Sequence, residues 1–141
     1  MSWDEYIKNL MAKDFVMDAA LVGHKAGGES VWASTPGGKL SGITVAEIKV
    51  LNGTDRSILF SSGVTLAGNK TTVLRDTLNT EEVWTMDIRT KPSDDDANSY
   101  SVCVAKSLQA LIIVKAKKDI HGGMVNKAAY EMATYLRGQQ Y

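Results

Sequence analysis

The chain has 141 residues, 16 Lys or Arg balanced by 16 Asp or Glu, and 44% hydrophobic residues. That length fits one domain spanning 1–141 that buries roughly 70% of its unfolded surface, and the balanced charge excludes a general attraction to nucleic acid or anionic lipid, so anion binding would need a local patch. Cys103 is the only cysteine, which excludes an internal disulfide; the opening Met1-Ser2-Trp3-Asp4 lacks a basic signal region, making an intracellular chain the expectation, and the longest apolar run, Ala110 to Val114, is far below the ~20 residues of a membrane span.

Ser2 to about Lys13 reads as a helix opened by a capping box between Ser2 and Glu5. At ~100° per residue Trp3, Tyr6, Ile7, Leu10 and Met11 share one face, with Trp3 central and Tyr6 at its rim. Two strand-like runs follow, Ala19-Ala20-Leu21-Val22 and Ser30-Val31-Trp32-Ala33, joined through Gly27-Gly28 as a hairpin. Thr44-Val45-Ala46-Glu47 repeats the capping-box pattern and predicts a short helix to about Leu51, stopped by Asn52-Gly53.

From Ser57 the pattern turns to strands at Ile58-Leu59-Phe60, Val64-Thr65-Leu66, Thr71-Thr72-Val73-Leu74, residues 83–88, residues 101–104 and residues 111–114. Gly and Asn between the runs favour antiparallel neighbours, and the acidic stretch 92–99 reads as a surface loop. Asp76 and Asp87 alternate with apolar strand residues and read as solvent-facing. The last element runs as a helix from about Met124 to Arg137 with Gly138 as its stop. Its apolar arc holds Met124, Val125, Ala128, Ala129, Met132, Tyr135 and Leu136, while Tyr130 falls about 100° outside it.

The inventory for catalysis is thin. His24 and His121 stand far apart without a second ligand at metal spacing, the Gly-Gly steps lack the context of phosphate loops, and Asp94-Asp95-Asp96 lacks the alternation of a calcium loop. Neither a catalytic residue, a metal site nor a cofactor is expected. Lys70, Arg75, Arg89 and Lys91 come from strands that could be neighbours, and Lys127 and Arg137 from the polar side of the last helix; ordinary solubilising charge is the competing reading. Trp3, Tyr6, Trp32 and Tyr135 could each simply complete the core; four together also suit a groove for proline-rich ligands, because flat rings pack on a polyproline II helix while Trp N–H and Tyr O–H groups bond its carbonyls.

Trp3-x-x-Tyr6 near the start and His121-Gly122-Gly123-Met124-Val125-Asn126-Lys127-x-x-Tyr130-Glu131-Met132-Ala133 near the end resemble the profilin family, as do Ser30-Val31-Trp32-Ala33, Asp55-Arg56-Ser57 and residues 86–91. The resemblance spans essentially the whole chain. It implies an α+β fold, with a central antiparallel sheet, the terminal helices packed together on one face and smaller helices on the other. It further implies a cytoplasmic, cytoskeleton-associated protein, not an enzyme, that binds monomeric actin, regulates its polymerisation and promotes its nucleotide exchange. By position, the groove for proline-rich segments of actin-assembly factors would use Trp3, Tyr6, Trp32, Tyr135, Leu136 and Tyr141. The actin face would use Phe60, Lys70, Thr72, Val73, Arg75, Arg89, Lys91, His121, Gly122, Asn126, Lys127, Tyr130 and Glu131. Phosphoinositide headgroups would meet Lys70, Arg75, Arg89, Lys91, Lys127 and Arg137; no nucleic-acid partner is implied. The chain differs from many animal members in having Tyr135 for a histidine, Phe60 for a tyrosine, Val83 for an acidic residue and Gly138 within a basic pair. The alternatives are a small-molecule-sensing or adaptor domain of similar layering, and a weak hydrolase.

Overall fold

A computed structural model describes residues 2–141, and among them seven strands form one sheet in the order β2-β1-β7-β6-β5-β4-β3. The strands are β1 Val16–Gly23, β2 Ser30–Ser34, β3 Val64–Leu66, β4 Asn69–Thr77, β5 Thr85–Thr90, β6 Ser101–Lys106 and β7 Ala110–Ala116, and every neighbouring pair is antiparallel. The helices are α1 Trp3–Met11, α2 Val45–Leu51, α3 Ile58–Ser62 and α4 Gly122–Gly138, with a 3₁₀ turn at Lys39–Gly42.

Two cores sit on opposite faces of this sheet because successive strand residues point to opposite sides. In β7, Ile112 and Val114 join the core under α1 and α4, with Ile7, Leu10, Val125, Ala129 and Leu136. Leu111 and Ile113 join the core under α2 and α3, with Ile48, Leu51 and Leu59. All of β7 is buried, as a strand covered on both faces must be. The α+β architecture, with terminal helices on one face and shorter ones on the other, is therefore the one the sequence implied.

Local chemistry explains which boundaries were legible. The Thr44 box forms: its hydroxyl accepts from Glu47 N at 3.2 Å, and Glu47 Oε1 accepts from Thr44 N at 2.9 Å. The same carboxylate also receives Ala67 N and Gly68 N, each at 2.9 Å, tying α2 to the β3–β4 turn. That turn has φ of 52° at Ala67 and 82° at Gly68, the left-handed pair that a two-residue hairpin requires.

Five local readings are corrected. Ser2 makes no side-chain cap; its carbonyl accepts from Glu5 N at 3.1 Å, so ordinary backbone bonding starts α1. Ile58-Leu59-Phe60 is helix α3 rather than a strand, with only Leu59 buried and the Ser61 and Ser62 hydroxyls bonded to the Ile58 carbonyl. Val83 and Trp84 precede β5, because Thr80 O takes both their amides in a turn where Glu82 and Trp84 have φ of 68° and 54°. Asp76 is an inward ion-pair partner, its two oxygens each 2.8 Å from Arg56, and Asp87 bonds Asn126 instead of only facing solvent. Helix α4 includes both Gly122 and Gly123, capped by His121 Nδ1 accepting from Gly123 N at 2.9 Å, and Gly138 lies within it. Its left-handed stop is Gln140, at φ 69°.

Candidate functional site

The chain ends meet on the α1/α4 face. Trp3 lies 5.5 Å from Tyr6, 4.8 Å from Trp32 and 5.1 Å from Tyr141 between ring centroids, and Tyr6 lies 6.0 Å from Tyr135. Two helices, an edge strand and the segment after α4 thus supply one continuous row of rings. Tyr135 and Tyr141 are half exposed, Trp3 and Trp32 partly so.

Depth in this row differs from the helical projection. Tyr6, placed at the rim by the sequence, is only 6% exposed because Trp3 and Tyr135 cover it from both sides. Burial first, and then the neighbouring Tyr135 and Tyr141 hydroxyls and Glu5, push its phenol pKa up. Leu136 is wholly buried and supports the rings from beneath. Beside the row, a groove of about 280 Å³ runs between α1 and α4, lined by Tyr6, Asn9, Leu10, Met132 and Tyr135 among others. An extended ligand laid across the rings would meet apolar walls with hydroxyl and indole donors at their edges.

Two residues of this site were not legible in the sequence. Gly23 passes directly behind the Trp32 indole, where an added Cβ would come within 2.6 Å of Nε1. Ser107, in the β6–β7 turn, bonds the backbone oxygen of Tyr141 at 3.0 Å. The first depends on the register of β1 against β2 and the second on a contact 34 residues apart, neither of which residue spacing reveals.

A second surface is built by β4, β5 and the first turns of α4. Thr72 pairs with Arg89, Arg75 with Asp87, and Lys91 N donates to Lys70 O at 2.9 Å. Strand alternation turns Lys70, Thr72, Arg89 and Lys91 outward and sends Val73 into the core at 5% exposure, and a register shift between Val73 and Arg75 brings Arg75 to the same exposed side, opposite Asp87. Val73 therefore offers no side chain to a partner. Asn126 Nδ2 donates to Asp87 Oδ1 at 2.8 Å, fixing α4 on β5, while Arg75 approaches the other Asp87 oxygen at 3.7 Å. Between these elements a cleft of about 560 Å³ is lined by Arg75, Arg89, His121, Gly122 and Asn126, among others.

Lys127, Tyr130 and Glu131 continue this exposed side of α4, with Lys127 and Glu131 at 3.9 Å. Phe60 stands 53% exposed on α3, which packs beside β4. Arg137 does not join the basic set. Its Nε and Nη2 donate to Lys106 O at 3.0 and 2.8 Å, and its guanidinium lies 4.2 Å from the Trp84 ring centroid. It is therefore engaged with the opposite end of the sheet's β5–β6 region.

Groups with reactive potential are occupied structurally. Burial, followed by the nearby Asp87 carboxylate, pushes the Cys103 thiol well up, and His24 Nε2 bonds Ser107 O at 3.0 Å. Among the described residues, no three His, Cys, Asp or Glu side chains gather as a metal cage.

A sheet sandwiched between terminal and internal helices, with an aromatic row on one side of α4 and a basic strand-helix face on the other, defines a two-surface binding domain. The profilin family model matches residues 1–141, and the chain belongs to the profilin family. It is 45% identical to profilin-1 of Bos taurus over 139 residues, covering 99% of this chain and 98% of the relative. Mouse profilin IIa, solved in complex with a double repeat from the FH1 domain of mDia1, superposes with a TM-score of 0.94 at 40% identity over all of both chains. LokiProfilin1, solved in complex with rabbit actin, shares the fold at a TM-score of 0.62 and 13% identity, over 99% of each chain.

Proposed function

We propose that this chain binds monomeric actin and proline-rich segments through its two separate surfaces, regulating actin polymerisation and promoting nucleotide exchange on the monomer. The observation that carries this reading is the unbroken row Tyr135-Tyr6-Trp3-Trp32, with Tyr141 against Trp3, built from elements remote in sequence. Tyr6 belongs to the core, but Tyr135 and Tyr141 stay half exposed beside it, an arrangement that core packing alone does not require. Its walls suit a polyproline II ligand, which arrives already extended and loses little entropy on binding. That mouse profilin IIa was solved in complex with a double repeat from the FH1 domain of mDia1 supports a peptide ligand of this kind.

The actin surface consists of Phe60, Lys70, Thr72, Arg75, Arg89, Lys91, His121, Gly122, Asn126, Lys127, Tyr130 and Glu131. Exchange is promoted only to the extent that this surface binds more tightly to actin with an open nucleotide cleft. Lys70, Arg75, Arg89, Lys91 and Lys127 form the patch for phosphoinositide headgroups, each basic residue adding about 1 kcal/mol near an anionic membrane. The chain acts by binding, as one domain in the cytoplasm, without a covalent step. Titrating the chain into polymerising actin tests the reading: the monomer pool should rise in proportion to added protein, and an unchanged pool would contradict it.

A further inference from the structure

Residues beyond the last helical turn normally fray, yet Tyr141 holds a defined place in the ring row, with its plane at 89° to that of Trp3. Two sets of hydrogen bonds account for this. The first belongs to the helix end: Tyr141 N donates to Leu136 O at 2.8 Å and Gln140 N to Arg137 O at 3.1 Å, with Gln140 left-handed at φ 69°. That is a Schellman stop, which folds the chain back over α4.

The second set comes from the β6–β7 turn, far from α4 in sequence. The Ser107 hydroxyl lies 3.0 Å from Tyr141 O, and Gln109 N also donates to that oxygen. Gln109 Nε2 adds a bond to Gln140 O at 3.3 Å. Ser107 is itself buried and hydrogen-bonded. It is 1% exposed, its hydroxyl accepts from Ala110 N at 3.1 Å with Ala110 O at 3.2 Å, and its carbonyl receives His24 Nε2 at 3.0 Å. The hydroxyl has a single proton, and Tyr141 O at 3.0 Å is the nearer of its two carbonyl acceptors, while the bond from Ala110 N holds the oxygen in place.

We propose that Ser107, together with the Gln109 amide, is a positioning clasp for the proline-rich groove: it holds the Tyr141 backbone so that the Tyr141 ring stays against Trp3. This inference rests on the groove being the ligand site. The side chain of Ser107 contacts no ligand; it acts through Tyr141. The affinity of the groove is therefore set partly by the turn that joins two central strands, β6 and β7.

The test is a double-mutant cycle read by titration with a decaproline peptide, using wild type, Ser107→Ala, Tyr141→Ala and the double variant, each checked for native circular dichroism. Tyr141→Ala should weaken binding about ten-fold, the scale of losing a ring contact. Ser107→Ala should weaken it about five-fold in the wild-type background and leave it unchanged in the Tyr141→Ala background. Equal losses in both backgrounds would overturn the clasp, since a merely structural serine affects both alike. Gln140→Pro provides a second route that leaves the sheet untouched: proline cannot adopt φ 69°, so Tyr141 should leave the clasp and affinity should match Tyr141→Ala. Undiminished affinity in that variant would also overturn the clasp. Wild type without decaproline binding would defeat the groove reading itself, and the clasp with it.

Discussion

Trp3 and Trp32 face each other at 4.8 Å between ring centroids, with planes tilted by 36°, although one opens α1 and the other lies in edge strand β2. Trp84 lies elsewhere, under the Arg137 guanidinium. A ligand stacking in the groove should therefore change the emission of the first two indoles alone. Trp84→Phe should preserve the polyproline-induced fluorescence change, while Trp32→Phe should reduce it; loss of the signal in Trp84→Phe would place the ligand at the wrong surface.

Gly23 sets how close Trp32 can lie to β1. A methyl group there would sit 2.6 Å from the indole nitrogen and 3.0 Å from Gly28 O, so Gly23→Ala must displace the ring. Decaproline affinity should fall several-fold, on the order of a misplaced anchor residue, while actin binding is retained. A crystal structure of the variant with Trp32 unmoved would contradict this account.

Tyr135 and Leu136 are adjacent but do opposite work. Tyr135 is 50% exposed and Leu136 wholly buried. Leu136→Ala should cost about 2–5 kcal/mol of unfolding free energy through a core cavity, whereas Tyr135→Ala should change stability by less than about 1 kcal/mol and weaken ligand binding instead. Urea titration and peptide titration on the same samples separate the two effects.

Acid should weaken the fold through two carboxylates. Burial raises the pKa of Asp76, but the Arg56 bonds and Leu78 N outweigh it and leave the pKa lowered; for Glu47, burial is likewise outweighed by the amides of Gly68, Thr44 and Ala67. Because both folded values lie below the unfolded ones, their stabilisation is full above the ordinary carboxylate range, near pH 4, and is lost as pH falls through and below it. Unfolding free energy should drop over that window, and Asp76→Asn should flatten the drop. The same substitution leaves Arg56, 20% exposed, without its charge partner, costing about 3 kcal/mol at neutral pH.

What the sequence disclosed follows from the range of the interactions involved. The Thr44 capping box and the Gly27-Gly28 hairpin are set by neighbours a few residues apart, and both were legible. Ile58-Leu59-Phe60 carries strand-like side chains, yet it folds as a helix between the Arg56 anchor and Gly63, whose φ of 69° ends α3. The exposure of Tyr130 followed from helical projection alone. The depth of Tyr6 did not, because Tyr135 and Trp3 bury it from different helical positions. Likewise, Arg137 looked like a free cation until Trp84 and the Lys106 carbonyl were seen to hold it.

If the two surfaces flanking α4 bind different partners, single substitutions should separate them. Polyproline retention and actin-monomer binding are measured side by side in Trp3→Ala, Lys127→Glu and Tyr130→Ala, each confirmed as folded. Trp3→Ala should lose retention by ten-fold or more, on the scale of a central aromatic anchor, and keep actin binding; Lys127→Glu and Tyr130→Ala should do the reverse. Parallel loss of both activities in every folded variant, or unchanged retention in Trp3→Ala, would contradict the account.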